Sequence, residues 1–116
     1  MEADSFRQQA LSLPEAVERA HMGTADFRVR GKIFATLSPE NGRGVLKLTP
    51  EQQAMLVDAE PTLFQPVPGR WGGHGWTWLR FAECDAVTLA SALAMAWRNV
   101  APKGLVAAHP EIGARF

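Results

Sequence analysis

The chain predicts an α+β fold, a two-layer domain in which an antiparallel sheet carries helices on one face. Three observations carry that expectation. Strand-like residues fall into two blocks, around residues 27–48 and 63–81, each interrupted by turn chemistry. Apolar residues recur at helical spacing before, between and after those blocks. The resulting order is helix, three or four strands, helix, two strands, helix, which fits helices gathered on one side of a sheet. The other sheet face is then left to water or to a partner.

Ser5-Phe6-Arg7-Gln8 has capping-box form, and Phe6, Ala10 and Leu13 follow at helical spacing before Pro14 stops the helix. Residues 17–20 read as a short strand and His21-Met22-Gly23-Thr24 as a turn. Phe27 and Val29 then alternate with Arg28 and Arg30, Gly31 breaks the run, and residues 32–37 continue in strand-like residues. Ser38-Pro39-Glu40-Asn41-Gly42 is turn chemistry, because Asn-Gly readily takes positive φ. Residues 45–48 form the next strand.

Thr49-Pro50-Glu51-Gln52 is the clearest local signal: Thr49 caps, Pro50 suits the first helical position, and Gln52 reaches back. This helix is expected to bury Met55, Leu56 and Ala59 and to end before Pro61. Residues 63–65 read as a short strand, 66–75 as a Gly- and Pro-rich loop, and 76–81 as a strand. Asp85 caps a last helix in which Leu89, Leu93, Ala96, Trp97 and Val100 recur at three- and four-residue steps, and Pro102 ends it. Residues 1–103 therefore read as one domain, and 104–116, with weak periodicity, as a partly ordered tail.

Composition narrows the function classes. A chain of 116 residues has room for one domain, and 47% hydrophobic with 21% charged residues is ordinary for a globular protein. The lone Cys84 excludes an internal disulfide and a cysteine-based structural zinc site. The acidic N-terminus lacks the basic and apolar regions of a secretory signal, and no apolar run reaches membrane-spanning length. The expectation is a soluble, cytoplasmic protein without membrane partners.

Twelve basic residues balance twelve acidic ones, which speaks against a strongly basic, nonspecific nucleic-acid binder. The charges are nonetheless segregated. Residues 27–50 carry Arg28, Arg30, Lys32, Arg43 and Lys47 against Glu40 alone, whereas residues 1–26 hold five acids against Arg7 and Arg19. If Phe27 and Val29 face the helices, alternation projects Arg28 and Arg30 from the open face, with Lys32 at or near the hairpin turn. Arg43, Lys47 and Arg80 join from neighbouring strands. Guanidinium forks suit phosphate oxygens and guanine edges. An exposed sheet face also needs charge for solubility and edge protection, so the pattern has a plain structural use too.

Arg70, Trp71, His74, Trp76 and Trp78 form a second candidate. A Gly-rich loop with tryptophans beside arginine can stack bases or close over a flat ligand. Core filling between sheet and helix is the alternative use, and it is expected for at least one of Trp76 and Trp78. Nothing marks an enzyme. His21, His74 and His109 have no metal-ligand spacing, and there is no phosphate loop, nucleophile elbow or conspicuous carboxylate pair. Cys84 sits at a helix start, where a thiolate is favoured, although a buried inert cysteine is the commoner case. Glu15 and Glu18 read as solvated surface. No catalytic residue, metal or cofactor is expected.

Three segments, in this order and spacing, resemble the MmcQ/YjbR family of small bacterial proteins. Residues 23–35 look like the family's glycine-led turn, phenylalanine-containing strand and Gly-Lys hairpin. Residues 67–77 are similar to its Gly-Trp loop, and residues 96–103 to the end of its last helix. Members often carry Pro where this chain has Ala25-Asp26. The resemblance covers about Phe6 to Lys103 and implies an α+β fold akin to secretion chaperones, in a family commonly labelled DNA-binding. That label brings no binding residues with it. The leading expectation is a DNA-binding or regulatory accessory protein using the basic face. The other is a non-enzymatic module that binds a protein or small ligand through the open sheet and the tryptophan loop.

Overall fold

The computed structural model describes residues 2–113. Helix α1 (Ala3–Leu11) starts ahead of the Ser5 capping-box signal, with Glu2 at its N-cap and no side-chain cap. Ser5 already donates its backbone N–H to Glu2 O at 3.0 Å, so it lies inside the first turn rather than at its mouth. Phe6 and Ala10 are fully buried, and Leu13 lies past the helix, partly buried.

Strands β1 (Ala16–His21), β2 (Thr24–Val29) and β3 (Lys32–Ser38) follow as a meander. Their connections are two-residue turns, Met22-Gly23 and Arg30-Gly31, with φ of 49° and 79° in one and 51° and 83° in the other. Positive φ at both central positions is the type I′ geometry that matches strand twist. A 3-10 turn (Pro39–Asn41) closed by left-handed Gly42 leads to β4 (Arg43–Lys47).

Helix α2 (Pro50–Ala59) has the full reciprocal cap: Gln52 N donates to Thr49 Oγ1 at 3.1 Å, and Thr49 N donates to Gln52 Oε1 at 2.9 Å. Of the three residues expected in its core stripe only Leu56 is buried; Met55 is 44% exposed and Ala59 is exposed. The cause is position, because α2 packs chiefly beside β5 (Phe64–Pro66) at the sheet edge and offers the core a narrow contact. Residues 66–75, expected to be a plain loop, contain a one-turn helix α3 (Arg70–Gly73) before β6 (Trp76–Leu79).

After a 3-10 turn at Phe81–Glu83, Asp85 caps α4 (Ala86–Val100) by accepting from Thr88 N at 2.7 Å. Leu89, Leu93, Ala96 and Trp97 are buried along α4 as its spacing predicts. The segment after Pro102 is more structured than a tail: α5 (Lys103–Ala108) forms, and Leu105, Val106 and Ile112 pack against the core. Weak periodicity hid it because only one or two residues per turn need to touch the core. Residues 114–116 of the expected tail lie outside the described residues.

The six strands form one antiparallel sheet in the order β1-β2-β3-β4-β6-β5. Helices α1 and α4 cover one face. That inner face carries Phe27, Val29, Ala35, Leu37, Leu46, Leu79 and Phe64, all essentially without exposed surface. Trp97 is the core indole, and its Nε1–H donates to Pro14 O at 2.9 Å, tying α4 to the turn before β1. The two-layer arrangement with helices on one side is thus the observed fold.

Candidate functional site: the open sheet face

Pairing register fixes what the uncovered face presents. Opposed residues in antiparallel strands share a face. Ala35↔Leu46 and Leu46↔Thr77 point inward, so Thr36↔Val45 and Val45↔Trp78 point outward, as do Lys47↔Trp76 and Ser38↔Arg43. On the other side of the face stand Arg28↔Ile33, Asp26↔Thr36, Arg19↔Asp26 and His21↔Thr24. A groove of about 260 Å³ runs over its centre, lined by His21, Ile33, Thr36, Val45, Val67, Trp71 and Trp76.

Trp76 and Trp78 both lie on this face, half-buried, and neither enters the core. The inward place between them is taken by Thr77, which is fully buried although polar. Its hydroxyl donates to Gly75 O at 2.8 Å and accepts from Gln53 Nε2 at 3.0 Å. The same Gln53 amide donates to Gly72 O and Trp76 O at 3.0 and 3.1 Å. A buried hydroxyl with every bond satisfied costs little, and period-2 alternation then sends both indoles outward.

The tryptophan loop is held down by two close backbone approaches. A Cβ on Gly72 would stand 1.9 Å from Val67 O, and one on Gly75 would stand 1.9 Å from Leu48 O, where φ is also +99°. Only glycine fits such contacts. They seat α3 against the β4 end, where Trp71, 65% exposed, meets Trp76 edge-on with ring centroids 6.3 Å apart. The Arg43 guanidinium lies 3.8 Å over the Trp78 ring, and Lys47 Nζ lies 5.5 Å from the Trp76 ring while donating to His74 O at 2.5 Å. Arg70 and His74 are exposed at the two ends of α3.

Across the groove lies a charged cluster that sequence reasoning did not identify. Asp26 has no exposed surface, yet it sits on the open face. Its carboxylate accepts from His21 Nδ1 at 2.7 Å, from Arg28 Nε at 2.7 Å and from Arg28 Nη2 at 3.1 Å. The Arg28 guanidinium holds the carboxyl below its ordinary range, against the opposing effect of burial, and His21 adds to the depression. Because the ionised carboxylate only accepts, it is the Nδ1–H of His21 that faces it. The available signal was the Asp26-x-Arg28 spacing, which in a strand places both groups on one face.

The six basic residues expected to form one patch are divided. Arg28, Arg43 and Lys47 are on the open face. Arg30 and Lys32 are not, because the I′ turn makes Arg30 its first corner residue, which ends the strand alternation at Val29. Arg30 instead bonds both carboxylate oxygens of Glu15, while Glu18 bonds Arg7 at 2.9 Å, so neither glutamate is merely solvated. Arg80 lies exposed beyond β6, 3.6 Å from Glu83. Cys84 is buried, and burial, with Asp85 adding, pushes its thiol up to about 11, so the helix start does not favour a thiolate. Among the described residues no three His, Cys, Asp or Glu gather as a metal site, and no helix is long and apolar enough to cross a membrane.

An antiparallel sheet backed by α1 and α4, with a tryptophan loop folded over its open face, defines a small α+β domain. Residues 11–99 match the YjbR family model, and the chain belongs to the YjbR family. The crystal structure of Deinococcus radiodurans protein DR2400, described by the domain DUF419, superimposes with a TM-score of 0.74 at 23% identity, covering 89% of this chain and 80% of that one. This likeness extends the fold assignment. The comparison with curated proteins found no match.

Proposed function

We propose that the chain is a non-enzymatic cytoplasmic accessory protein that binds a single strand of nucleic acid across its open sheet face. One observation carries this reading: Trp71, Trp76 and Trp78 share that face with Arg43 and Lys47, and the one carboxylate that strand pairing puts there among the described residues, Asp26, is buried and paired. Indoles offer stacking surface to any base, and neighbouring cations meet the phosphates. Trp76 and Trp78 alternate with Thr77 on one strand, so their Cα atoms are roughly 7 Å apart, and a base reaching Trp78 displaces the Arg43 guanidinium that lies over its ring. Duplex binding through a continuous basic face has less support, because Arg28, Arg30 and Arg80 each face a carboxylate of this chain.

Tryptophan emission tests the reading directly. Three of the four indoles lie on the proposed surface and the fourth, Trp97, is buried. A short unlabelled single-stranded oligonucleotide should quench emission saturably, and Arg43→Ala should weaken the effect several-fold. An unchanged spectrum at low salt removes the proposal.

A second reading is favoured by the groove lining itself, where Ile33, Val45, Val67, Trp71 and Trp76 are apolar, and by Met22, fully exposed at the β1–β2 turn beside His21. These features suit an apolar protein segment or small ligand. Such binding persists at high salt and is lost on Trp71→Ala, whereas strand binding weakens as salt rises.

A further inference from the structure

The two cations that the β2–β3 turn removes from the open face, Arg30 and Lys32, meet two others at the far end of the molecule. A groove of about 730 Å³ lies between that turn, the last turn of α4 and helix α5. Its lining includes Arg30, Lys32, Arg98 and Lys103, and no aspartate or glutamate. Its apolar wall includes Val106 and Pro110. This places one-third of the chain's twelve Lys and Arg residues around one groove in a protein of zero net charge.

Two of the four cations are held in place. Glu15, outside the lining, grips Arg30 through both carboxylate oxygens and orients its guanidinium. Arg98 donates one Nη1–H to Ile112 O at 3.1 Å, which leaves most of its fork for another acceptor. Lys32 and Lys103 are exposed and have no hydrogen-bond or ion-pair partner among the described residues. Arg30 also holds a left-handed φ of 51°, a conformation that non-glycine residues rarely adopt. The turn tolerates an arginine where asparagine or glycine would sit without strain.

The C-terminal dipole of α4 accounts for part of this charge. Its partial negative end amounts to about half an elementary charge, however, and with Arg30 balanced by Glu15 the other three cations, Lys32, Arg98 and Lys103, still exceed that several-fold. Like charges drawn together with so little counter-charge destabilise the free protein and favour an anion between them. The volume suits a small organic molecule. Guanidinium forks and lysine ammonium groups are the chemistry that holds phosphate.

We propose that this groove is an anion site for a small molecule bearing two or more phosphate groups. Arg30, Lys32, Arg98 and Lys103 hold the phosphates, and the wall at Val106 and Pro110 packs against the organic part. The site is separate from the open sheet face and does not depend on what that face binds.

The test is titration of the full chain with adenosine diphosphate and with pyrophosphate at low salt, followed by calorimetry and by backbone amide NMR shifts. Both probes should shift amides at residues 30–32 and 98–106, with the diphosphate nucleoside binding more tightly because it also meets the apolar wall. The Lys32→Ala/Lys103→Ala double variant removes only exposed, unpartnered side chains, so its amide spectrum should keep the wild-type dispersion. Its affinity for both probes should fall at least tenfold, while Trp71→Ala should leave affinity unchanged. Absence of shifts at these residues, or a lysine double variant that binds like wild type, overturns the site. Equal affinity for the two probes overturns the role of the apolar wall. Failure of oligonucleotide quenching on the open face with retained diphosphate binding would sink the strand-binding reading alone.

Discussion

At Asp26 a carboxylate without exposed surface accepts three hydrogen bonds from His21 and Arg28, and its titration becomes part of folding. Its folded pKa lies below the ordinary carboxylate value, so the stabilisation is complete above about pH 4 and is lost as pH falls through the folded value. Asp26→Asn should lower unfolding free energy by roughly 1–3 kcal/mol at neutral pH. Urea unfolding at pH 7 and pH 3 checks both magnitude and sign. The gap between variant and wild type should narrow at the acid end, and a constant gap would show that the charge does not contribute. Cys84 supports a second residue-scale prediction. With its thiol pushed up to about 11 and 4% exposed, it should resist iodoacetamide at pH 8 in the native protein and react readily in denaturant.

Among the elements, those with a local chemical cause were legible in the chain. The Thr49–Gln52 box and the Asp85 cap stand where Thr-Pro-x-Gln and Asp before an apolar stripe put them. Thr49→Ala should cost about 1 kcal/mol, readable as a fall in thermal midpoint of several degrees. Elements whose cause is tertiary were not legible. The one-turn α3 is held where it is because Gly75 brings the chain against Leu48 O, on a distant part of the sequence, while Gly72 folds it back onto Val67 O. The outward place of Trp76 and Trp78 depends on Gln53, on another element, satisfying the Thr77 hydroxyl. Hydrophobicity alone ranks two tryptophans above a threonine for the core, and a partner 24 positions away reverses that order. Gly75→Ala forces a Cβ into a carbonyl at positive φ. It should therefore destabilise by well over 1 kcal/mol and blunt any ligand-induced change at Trp71 and Trp76, as thermal unfolding and emission spectra would show.

For the whole molecule, segregation of charge along the chain was readable, but its destination was not. The basic stretch at residues 27–50 was expected to become one face. A two-residue turn divides it, sending Arg28, Arg43 and Lys47 to the open sheet face and Arg30 and Lys32 to the groove beside α5. The acidic early chain does not form an opposing patch. It supplies Glu15, Glu18 and Asp26 as partners for Arg30, Arg7 and Arg28, leaving Arg43 and Lys47 without carboxylate partners among the described residues. With two or three cations meeting phosphate, strand binding should depend moderately on salt, with a log–log slope of about −1.4 to −2.

The central claim is that the open sheet face takes a single strand by stacking and a few phosphate contacts. Its most direct test is fluorescence anisotropy of a labelled single-stranded oligonucleotide titrated with the protein across a salt series. Binding should saturate at low salt and weaken with the moderate slope above. It should fall at least tenfold in the Arg43→Ala/Trp71→Ala variant and change little in the Lys32→Ala/Lys103→Ala variant. Flat titrations at the lowest salt, or binding that follows the lysines and ignores Arg43 and Trp71, would contradict it.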